Sequence, residues 1–259
     1  MKIAVCVKQV PDSWAEKKLN VSTKLIDRES VDAVLNDLDE YAIESALQIV
    51  EANGGSEAGH SVTLISMGPE RATEALRKGL SMGADDAILV SDAALAGSDA
   101  LATSLILAKA IQRVNPDLIL CGTESTDARM SVIPSMLSER LELPQLSFAG
   151  EVVVSADQVS IKRVTDEGVD SMSSPMPVIV SVIEKINEPR YPSFKGIMAA
   201  KKKTIEQKDL AAVGVSATSA WSQVNDATPR PPRAAGVKVT DEGSGGTALV
   251  DFLAEKKLI

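Results

Sequence analysis

Four short aliphatic runs, each followed by a stretch with helical spacing, set the narrowest limit on what this chain can fold into. Ile3-Ala4-Val5-Cys6-Val7, Val62-Thr63-Leu64-Ile65, Ala87-Ile88-Leu89-Val90 and Leu118-Ile119-Leu120-Cys121 are almost continuously apolar. A strand with one wet face would alternate, so runs of this kind suit parallel strands covered on both sides. After the first run, Ile43, Ala46, Leu47 and Val50 recur at helical spacing; after the second, Ala72, Ala75, Leu76, Gly79 and Leu80 do so. A third helix is predicted from an N-cap at Ser98 to Val114, and a fourth carries Ile133, Met136, Leu137 and Leu141 on one face. A βαβ series of this kind predicts an α/β fold: a parallel-rich, Rossmann-like sheet with helices on both faces. Apolar residues make up 44% of the chain and aromatics only 3%, so the core must be aliphatic.

Beyond about residue 149 the period changes. Val152-Val153-Val154, Ser160 to Val164 and Met176 to Ile183 read as antiparallel strands that extend the sheet, with Asp157-Gln158 as a turn. Thr204 to Val215 has room for one more strand and a short helix. Residues 216 to 235 are rich in Ser, Thr, Ala and Pro, end near Pro229-Arg230-Pro231-Pro232, and read as an extended arm. Thr247 to Leu258 is an amphipathic helix with Leu249, Val250, Phe252, Leu253 and Leu258. The expected organisation is an α/β domain over 1–215, then an arm and C-terminal helix over 216–259 that dock on a partner chain.

Composition removes several function classes. A net charge of -9 argues against nucleic-acid binding. The lone histidine, His60, sits before a strand and offers little for histidine catalysis, and no metal site is expected. Cys6 and Cys121 lie in apolar runs and read as reduced thiols. The start MKIAVCVKQ turns polar too soon for a secretory signal, and no run approaches a membrane span. The expectation is a cytoplasmic protein without membrane insertion.

In an open parallel sheet, ligands sit outside the carboxyl ends of the strands where strand order reverses. Here that point is expected between Cys6-Val7-Lys8-Gln9 and the segment Cys121 to Asp127, which is small, polar and led by Gly122. Such a loop can turn backbone N–H groups toward a phosphate. Arg129 is expected in the first turn of the next helix, where a cation opposes the helix dipole and a bound anion would relieve the conflict; the plainer alternative is an ordinary turn with Asp127 as the N-cap. Asn36 and Asp37 look like capping residues, with Glu40 completing a capping box. Neither G-x-G-x-x-G nor a Walker A sequence occurs, so a nucleotide would not be held as in common dehydrogenases or P-loop hydrolases.

The other distinctive stretch is Asn187-Glu188-Pro189-Arg190-Tyr191-Pro192-Ser193-Phe194-Lys195-Gly196-Ile197-Met198, followed by lysines 201–203. No acid occurs from Pro189 through Ile205, which makes it a basic, proline-stiffened, aromatic-bearing loop on an acidic protein. Proline fixes φ, so such a loop presents a side chain at low entropic cost.

This stretch, together with the Val5-Cys6-Val7-Lys8 start, closely resembles the electron transfer flavoprotein beta subunit, and the likeness extends over nearly the whole chain. The resemblance implies AMP in a buried site of this subunit, or a second FAD in members that bifurcate electrons, with the main FAD held by an alpha subunit. It places that site at Cys6, Asn36, Asp37, Leu38, Asp39, Met67, Gly122, Thr123, Glu124, Ser125, Thr126, Asp127, Ala128, Arg129, Met130, Ser131, Val132 and Ile133. The chain keeps the family's residue at Asp127 and departs from it at Glu124, Arg129, Val132 and Pro134. The resemblance also implies a recognition loop from about Val182 to Thr204, with Asn187, Pro189, Arg190, Tyr191, Pro192, Phe194, Lys195, Ile197 and Met198 facing partners. The implied function is electron carriage, without catalysis of its own, from acyl-CoA or related dehydrogenases to an acceptor such as a quinone oxidoreductase. Two alternatives stand beside it: a subunit of a bifurcating complex, and a nucleotide-binding stress or regulatory protein.

Overall fold

A computed structural model describes residues 1–184, 186–228 and 231–259. Pro229 and Arg230 of the expected arm, and Lys185 of the recognition segment, lie outside the described residues. The elements in chain order are strands β1 (Lys2–Cys6), β2 (Gln9–Pro11) and β3 (Ala33–Leu35), helix α1 (Asp37–Ala52), β4 (Ser61–Met67), α2 (Thr73–Met82), β5 (Asp86–Val90), α3 (Ala100–Val114), β6 (Leu118–Gly122) and α4 (Ile133–Leu141). There follow β7 (Gln145–Ser155), β8 (Gln158–Thr165), β9 (Gly168–Pro175), β10 (Val178–Val182), α5 (Phe194–Lys202), β11 (Ile205–Lys208) and α6 (Gly245–Glu255).

One nine-stranded sheet runs in the order β11-β5-β4-β1-β6-β10-β7-β8-β9. Its strands from β11 to β7 are parallel, and β8 and β9 add an antiparallel margin. The aliphatic runs serve both faces by alternation. Ile3, Val5, Leu64, Leu118 and Leu120 meet Ile43, Leu47, Leu76 and Leu80 from α1 and α2. Ala4, Cys6, Ile65, Ile119 and Cys121 meet Ile106, Ile111 and Leu137 from α3 and α4 on the other face. The α/β class and the two-sided helical cover therefore agree with the sequence, and strand order does reverse at β1, which lies between β4 and β6.

Several local expectations give way. Val178–Val182 is not an antiparallel extension. It is a fully buried strand inserted between β6 and β7 and parallel to both; its Val-Ile-Val-Ser-Val run is apolar but for Ser181, whose hydroxyl accepts from the Phe148 N–H at 3.1 Å. The strand Gly168–Pro175 was not anticipated, because its Asp-Ser-Met-Ser-Ser centre carries neither a core pattern nor strand formers. The turn before β8 centres on Ala156, in the left-handed region at φ 47°, and Gln158 already belongs to the strand. Asp99, not Ser98, caps α3, accepting from the Ala102 N–H at 2.9 Å. Residues after β11 make a turn rather than a helix. The small β2–β3 pair was also missed; it carries the intervening loop out from the carboxyl ends of the strands.

The chain forms two compact units, Met1–Asn225 and Asp226–Ile259. In the first, the segment after residue 216 is tied to the start of α3: the Trp221 and Ser222 N–H groups donate to Asp99 at 2.7 and 3.0 Å. The second holds α6 alone, with Leu249, Val250, Phe252 and Leu253 among its residues. Among the described residues no helix is long and apolar enough to cross a membrane.

Candidate functional site

Where β1 and β6 end side by side, Cys6 pairs with Cys121 in register. The N-terminus of α1 comes so close to the end of β6 that a side chain at Gly122 would have nowhere to go. A Cβ there would stand 2.5 Å from Asp39 Oδ1 and 2.8 Å from the Leu38 carbonyl carbon. The backbone of the loop after Gly122 therefore lies directly against α1. Thr123 anchors its start, donating to the Val182 carbonyl from its N–H at 3.0 Å and from Oγ1 at 2.7 Å.

Asn36 then fixes the loop's course. It precedes α1, as expected of a cap, but its side chain makes no capping bond. The amide is buried and serves the other side: Nδ2 donates to the Glu124 carbonyl and Oδ1 accepts from the Thr126 N–H, both at 3.0 Å. The capping box with Glu40 does not form, since Glu40 pairs with Lys78. Asp39 is buried one turn on and accepts from the Lys8 N–H at 2.8 Å. Burial pushes its carboxyl up to about 7, against the hydrogen bonds from Lys8, Asn36 and Gly122.

Asp127 departs from its expected place. The helix begins at Ile133, with Val132 at the capping position, so Asp127 caps nothing and Arg129 is not in a first turn. The intervening residues loop outward through left-handed Arg129 and Ser131, at φ 50° and 53°, with Ala128, Arg129 and Met130 exposed. The expected conflict between Arg129 and the helix dipole is therefore absent. Instead the Asp127 side chain is shielded from solvent between two cations, Lys8 Nζ at 2.8 Å and Arg28 at 2.6 Å. Burial alone would raise its carboxyl; the charge and hydrogen bond of Lys8, with help from Ser125 and Arg28, bring it down to about 2. Lys8 also reaches Ser125 Oγ at 3.2 Å, and Lys17 donates to the Thr126 carbonyl at 2.9 Å.

Lys17 and Arg28 are residues the sequence did not single out, and Lys8, though part of the segment expected at the switch point, was given no role there. Lys8 could have been found from its place just past the first strand. Arg28 and Lys17 carry no local signal, because only folding of the loop between β2 and β3 brings them to Asp127 and Thr126. Two cations face one buried carboxylate here, Lys17 lies on the neighbouring Thr126 carbonyl, and Thr126 Oγ1 is buried with no hydrogen-bond partner among the described residues. The α4 N-terminus nearby has no side-chain cap. The cations around the loop, an uncapped helix start and an unmet hydroxyl fit the anionic end of a nucleotide. Met67 ends β4 beside β1, half-buried. Below the loop, Cys121 is held in its thiol form, its pKa raised first by the hydrogen bond with Cys6 and then by burial.

The recognition segment occupies a different part of the first unit. Asn187 Nδ2 donates to the Tyr41 carbonyl at 3.1 Å and to Ser45 Oγ at 2.8 Å. Arg190 is turned inward onto Glu44 and Glu51 of α1. Ser193 caps α5, accepting from the Gly196 N–H at 3.0 Å. Tyr191 is 96% and Phe194 80% exposed; Lys195, Ile197 and Met198 are also exposed, while Pro189 and Pro192 are half-buried. Two shallow clefts of about 240 and 400 Å³ lie along β7–β9 and between β7 and α1, away from the β1–β6 switch point. No cluster of metal-ligating side chains occurs among the described residues.

A mostly parallel sheet with a polar loop at its switch point defines an open, doubly wound α/β protein. Residues 23–213 match the electron transfer flavoprotein domain. The chain is 46% identical to the electron transfer flavoprotein subunit beta of Mycobacterium bovis, with 99% of each chain covered. It is 35% identical to the protein of that name from Megasphaera elsdenii, over 99% of this chain and 97% of the other. It is also 33% identical, over the full length of both, to the caffeyl-CoA reductase-Etf complex subunit CarD of Acetobacterium woodii. The chain belongs to the electron transfer flavoprotein beta subunit family, and its role is in electron transfer with flavin involved. That membership favours the carrier reading over the stress or regulatory one.

Proposed function

We propose that this chain is the smaller half of a heterodimer whose alpha partner holds the redox-active FAD. It carries AMP at the β1–β6 switch point and has no catalysis of its own. The single observation that carries the nucleotide assignment is the loop Gly122–Asp127. It is pinned to α1 by Asn36 and flanked by Lys8, Lys17 and Arg28, with Thr126 Oγ1 lacking a partner among the described residues. Lys8 and Arg28 would meet the phosphate, and the backbone of the loop would supply donors. The adenine and ribose would fall to the side of Cys6, Asn36 to Asp39 and Met67. When bound, AMP would be a structural element, locking the loop rather than exchanging electrons.

Electrons would enter the heterodimer from an acyl-CoA or related dehydrogenase and leave to a quinone oxidoreductase or another acceptor, with the protein working in the cytoplasm. Exposure of Tyr191 and Phe194 supports a docking role for their loop. The arm and helix over 216–259 would clasp the alpha chain, since a unit with one helix cannot cover that helix's apolar side by itself.

A second reading has FAD at the nucleotide site in a bifurcating complex, and the likeness to the subunit named from a caffeyl-CoA reductase complex favours keeping it. One experiment separates the two. The chain is purified with its alpha partner, and released flavin and AMP are counted per heterodimer. One FAD and one AMP support the carrier; two FAD and no AMP support bifurcation. A complex with FAD on the alpha chain and no nucleotide on this one would overturn the site assignment.

A further inference from the structure

The geometry points to Arg190 as a positioning residue: clamped by Glu44 and Glu51, it sets the shape in which Tyr191 and Phe194 are offered to an apolar recess on a partner protein. The inference rests on the docking reading of this loop. The sequence placed Arg190 among the residues that face the partner. The structure gives it a different job.

The guanidinium is spent on its own domain. Nε donates to Glu44 Oε2 at 2.7 Å and Nη2 to Glu44 Oε1 at 3.0 Å; the Arg190 backbone N–H adds a bond to Glu44 Oε2 at 3.2 Å. The outer edge of the same group donates to Glu51 at 2.6 and 3.0 Å. Glu44 and Glu51 lie two turns apart on α1, so one planar fork spans both. Lysine, a single point charge, cannot do this. Glu44 is buried, its side chain only 4% exposed. Burial would raise its carboxyl, yet the side-chain and backbone hydrogen bonds of Arg190 carry it below its ordinary value. Arg190 in turn is held charged, first by Glu51 and then by Glu44.

This clamp is one end of a bridge. Asn187 ties the approach to α1. The far end is tied to α2: a Cβ at Gly196 would stand 2.5 Å from the Ser81 carbonyl oxygen, so α5 sits directly on α2. Arg77 of α2 donates to the Ala200 and Lys203 carbonyls, the second at 2.6 Å, and Lys203 Nζ donates to the Ala84 carbonyl at 2.6 Å. Between these two anchorages only Tyr191, Pro192, Ser193, Phe194 and Lys195 remain, and Tyr191 and Phe194 are the aromatics among them. Two large exposed aromatics on a short span fixed at both ends are preorganised for a pocket, and association then costs less ordering. Release of the Arg190 end would leave the aromatics present but unfixed.

The test uses the heterodimer as purified, with an acyl-CoA dehydrogenase and its acyl-CoA substrate as the electron donor, and compares Arg190→Lys, Glu51→Gln and Phe194→Ala. Arg190→Lys keeps the charge beside buried Glu44 and loses the fork; Glu51→Gln weakens the exposed arm and leaves the buried pair intact. Both should raise the KM for the heterodimer, Arg190→Lys by roughly tenfold and Glu51→Gln by less, at unchanged kcat and FAD content. Amide exchange over residues 189–195 should quicken in both and stay unchanged in Phe194→Ala. Arg190→Lys added to Phe194→Ala should raise KM little beyond Phe194→Ala alone, because the arginine acts through the aromatic. Fully additive effects would mean that Arg190 touches the partner itself, and would overturn positioning. So would an Arg190→Lys or Glu51→Gln protein that melts lower but keeps its KM while Phe194→Ala loses affinity. Should Phe194→Ala itself leave KM unchanged, the docking reading falls first and takes the positioning role with it.

Discussion

The side chain of Asn36 accepts a hydrogen bond from the backbone N–H of Thr126 at 3.0 Å across 90 positions of sequence. With its donation to the Glu124 carbonyl, it is the brace that sets the course of the loop after β6. Asn36→Ala should leave both loop groups unpartnered in a buried setting, at roughly 1–3 kcal/mol for each group left unmet. The expected result is a lower urea midpoint and a larger loss of retained nucleotide, since the same bonds shape the site. Mass spectrometry of heat-released ligand measures the second effect. Full retention in a folded Asn36→Ala protein would show that the brace does not shape the site.

How much of this was legible beforehand follows from the range of each interaction. The aliphatic runs placed β1, β4, β5 and β6 because burial on both faces writes itself into consecutive residues. Pairing of β1 with β6 was expected from the usual strand order of open parallel sheets rather than from the runs themselves. Asn36 stood out for the wrong reason: it has the chemistry of a cap, but tertiary contact claimed its amide for the loop. Asp127 was misplaced for a related reason. The helical spacing of Ile133 and Leu137 was visible, while the outward excursion through Arg129 and Ser131 depends on left-handed backbone that non-glycine residues rarely advertise. Arg28 was unreadable because its partner lies in another loop, and β9 because its residues are polar on both faces.

Gly122→Ala should be among the most damaging single-methyl additions in the first unit. The new Cβ would meet Asp39 Oδ1 at 2.5 Å and the α1 backbone at 2.8 Å, and backbone cannot swing aside as a flexible side chain can. Overpacking of this kind typically costs about 1–3 kcal/mol. Thermal melting should show a lower Tm, and copurified nucleotide should fall with it, because relief of the clash must separate the loop from α1. A Tm and nucleotide content equal to those of the parent would mean that α1 and β6 are less tightly apposed than the structure has them.

Two buried carboxyls pull stability in opposite directions with pH. Asp127, held at about 2 against an ordinary 3.8, binds its proton more weakly when folded. Its contribution is therefore complete above 3.8 and is lost as pH falls through 2. Asp39, at about 7, binds its proton more tightly when folded; its effect is most favourable below 3.8 and declines as pH rises to 7. Asp39→Asn removes that second dependence. The stability of the parent relative to Asp39→Asn, from urea unfolding at several pH values, should fall steadily from about pH 4 to pH 7 and then level off. A flat difference over that window would show that Asp39 is ionised in the folded protein throughout.

Removal of residues 247–259 tests the docking role of the second unit. That segment takes most of α6, including Leu249, Val250, Phe252 and Leu253. If these apolar residues are covered by the alpha chain, the truncated protein should copurify with less of it, and the complex should dissociate at lower dilution in sedimentation experiments. The first unit, with its own core, should keep its fold and its circular dichroism. Undiminished assembly of the truncated chain would count against a clasp.

Phe194→Ala separates surface from core most directly. The ring is 80% exposed and begins α5, whose N-terminus is secured by Ser193 rather than by the phenyl group. Truncation should therefore change Tm by little, as surface substitutions away from caps and cores usually do. Loss of an aromatic anchor at an interface, in contrast, commonly costs about 2 kcal/mol or more, which is roughly thirtyfold in affinity. Electron transfer from a reduced acyl-CoA dehydrogenase should therefore slow at low heterodimer concentration and recover toward the parent rate as concentration rises. FAD content should stay the same. The exposed lysines 201 and 202 should behave differently: their neutralisation should reduce the association rate and its salt dependence while the saturated rate is kept. A Phe194→Ala heterodimer with unchanged stability and undiminished turnover at low concentration would remove this loop from the docking surface, and attention would pass to other exposed aromatics of the first unit, Trp14, Phe148 and Trp221.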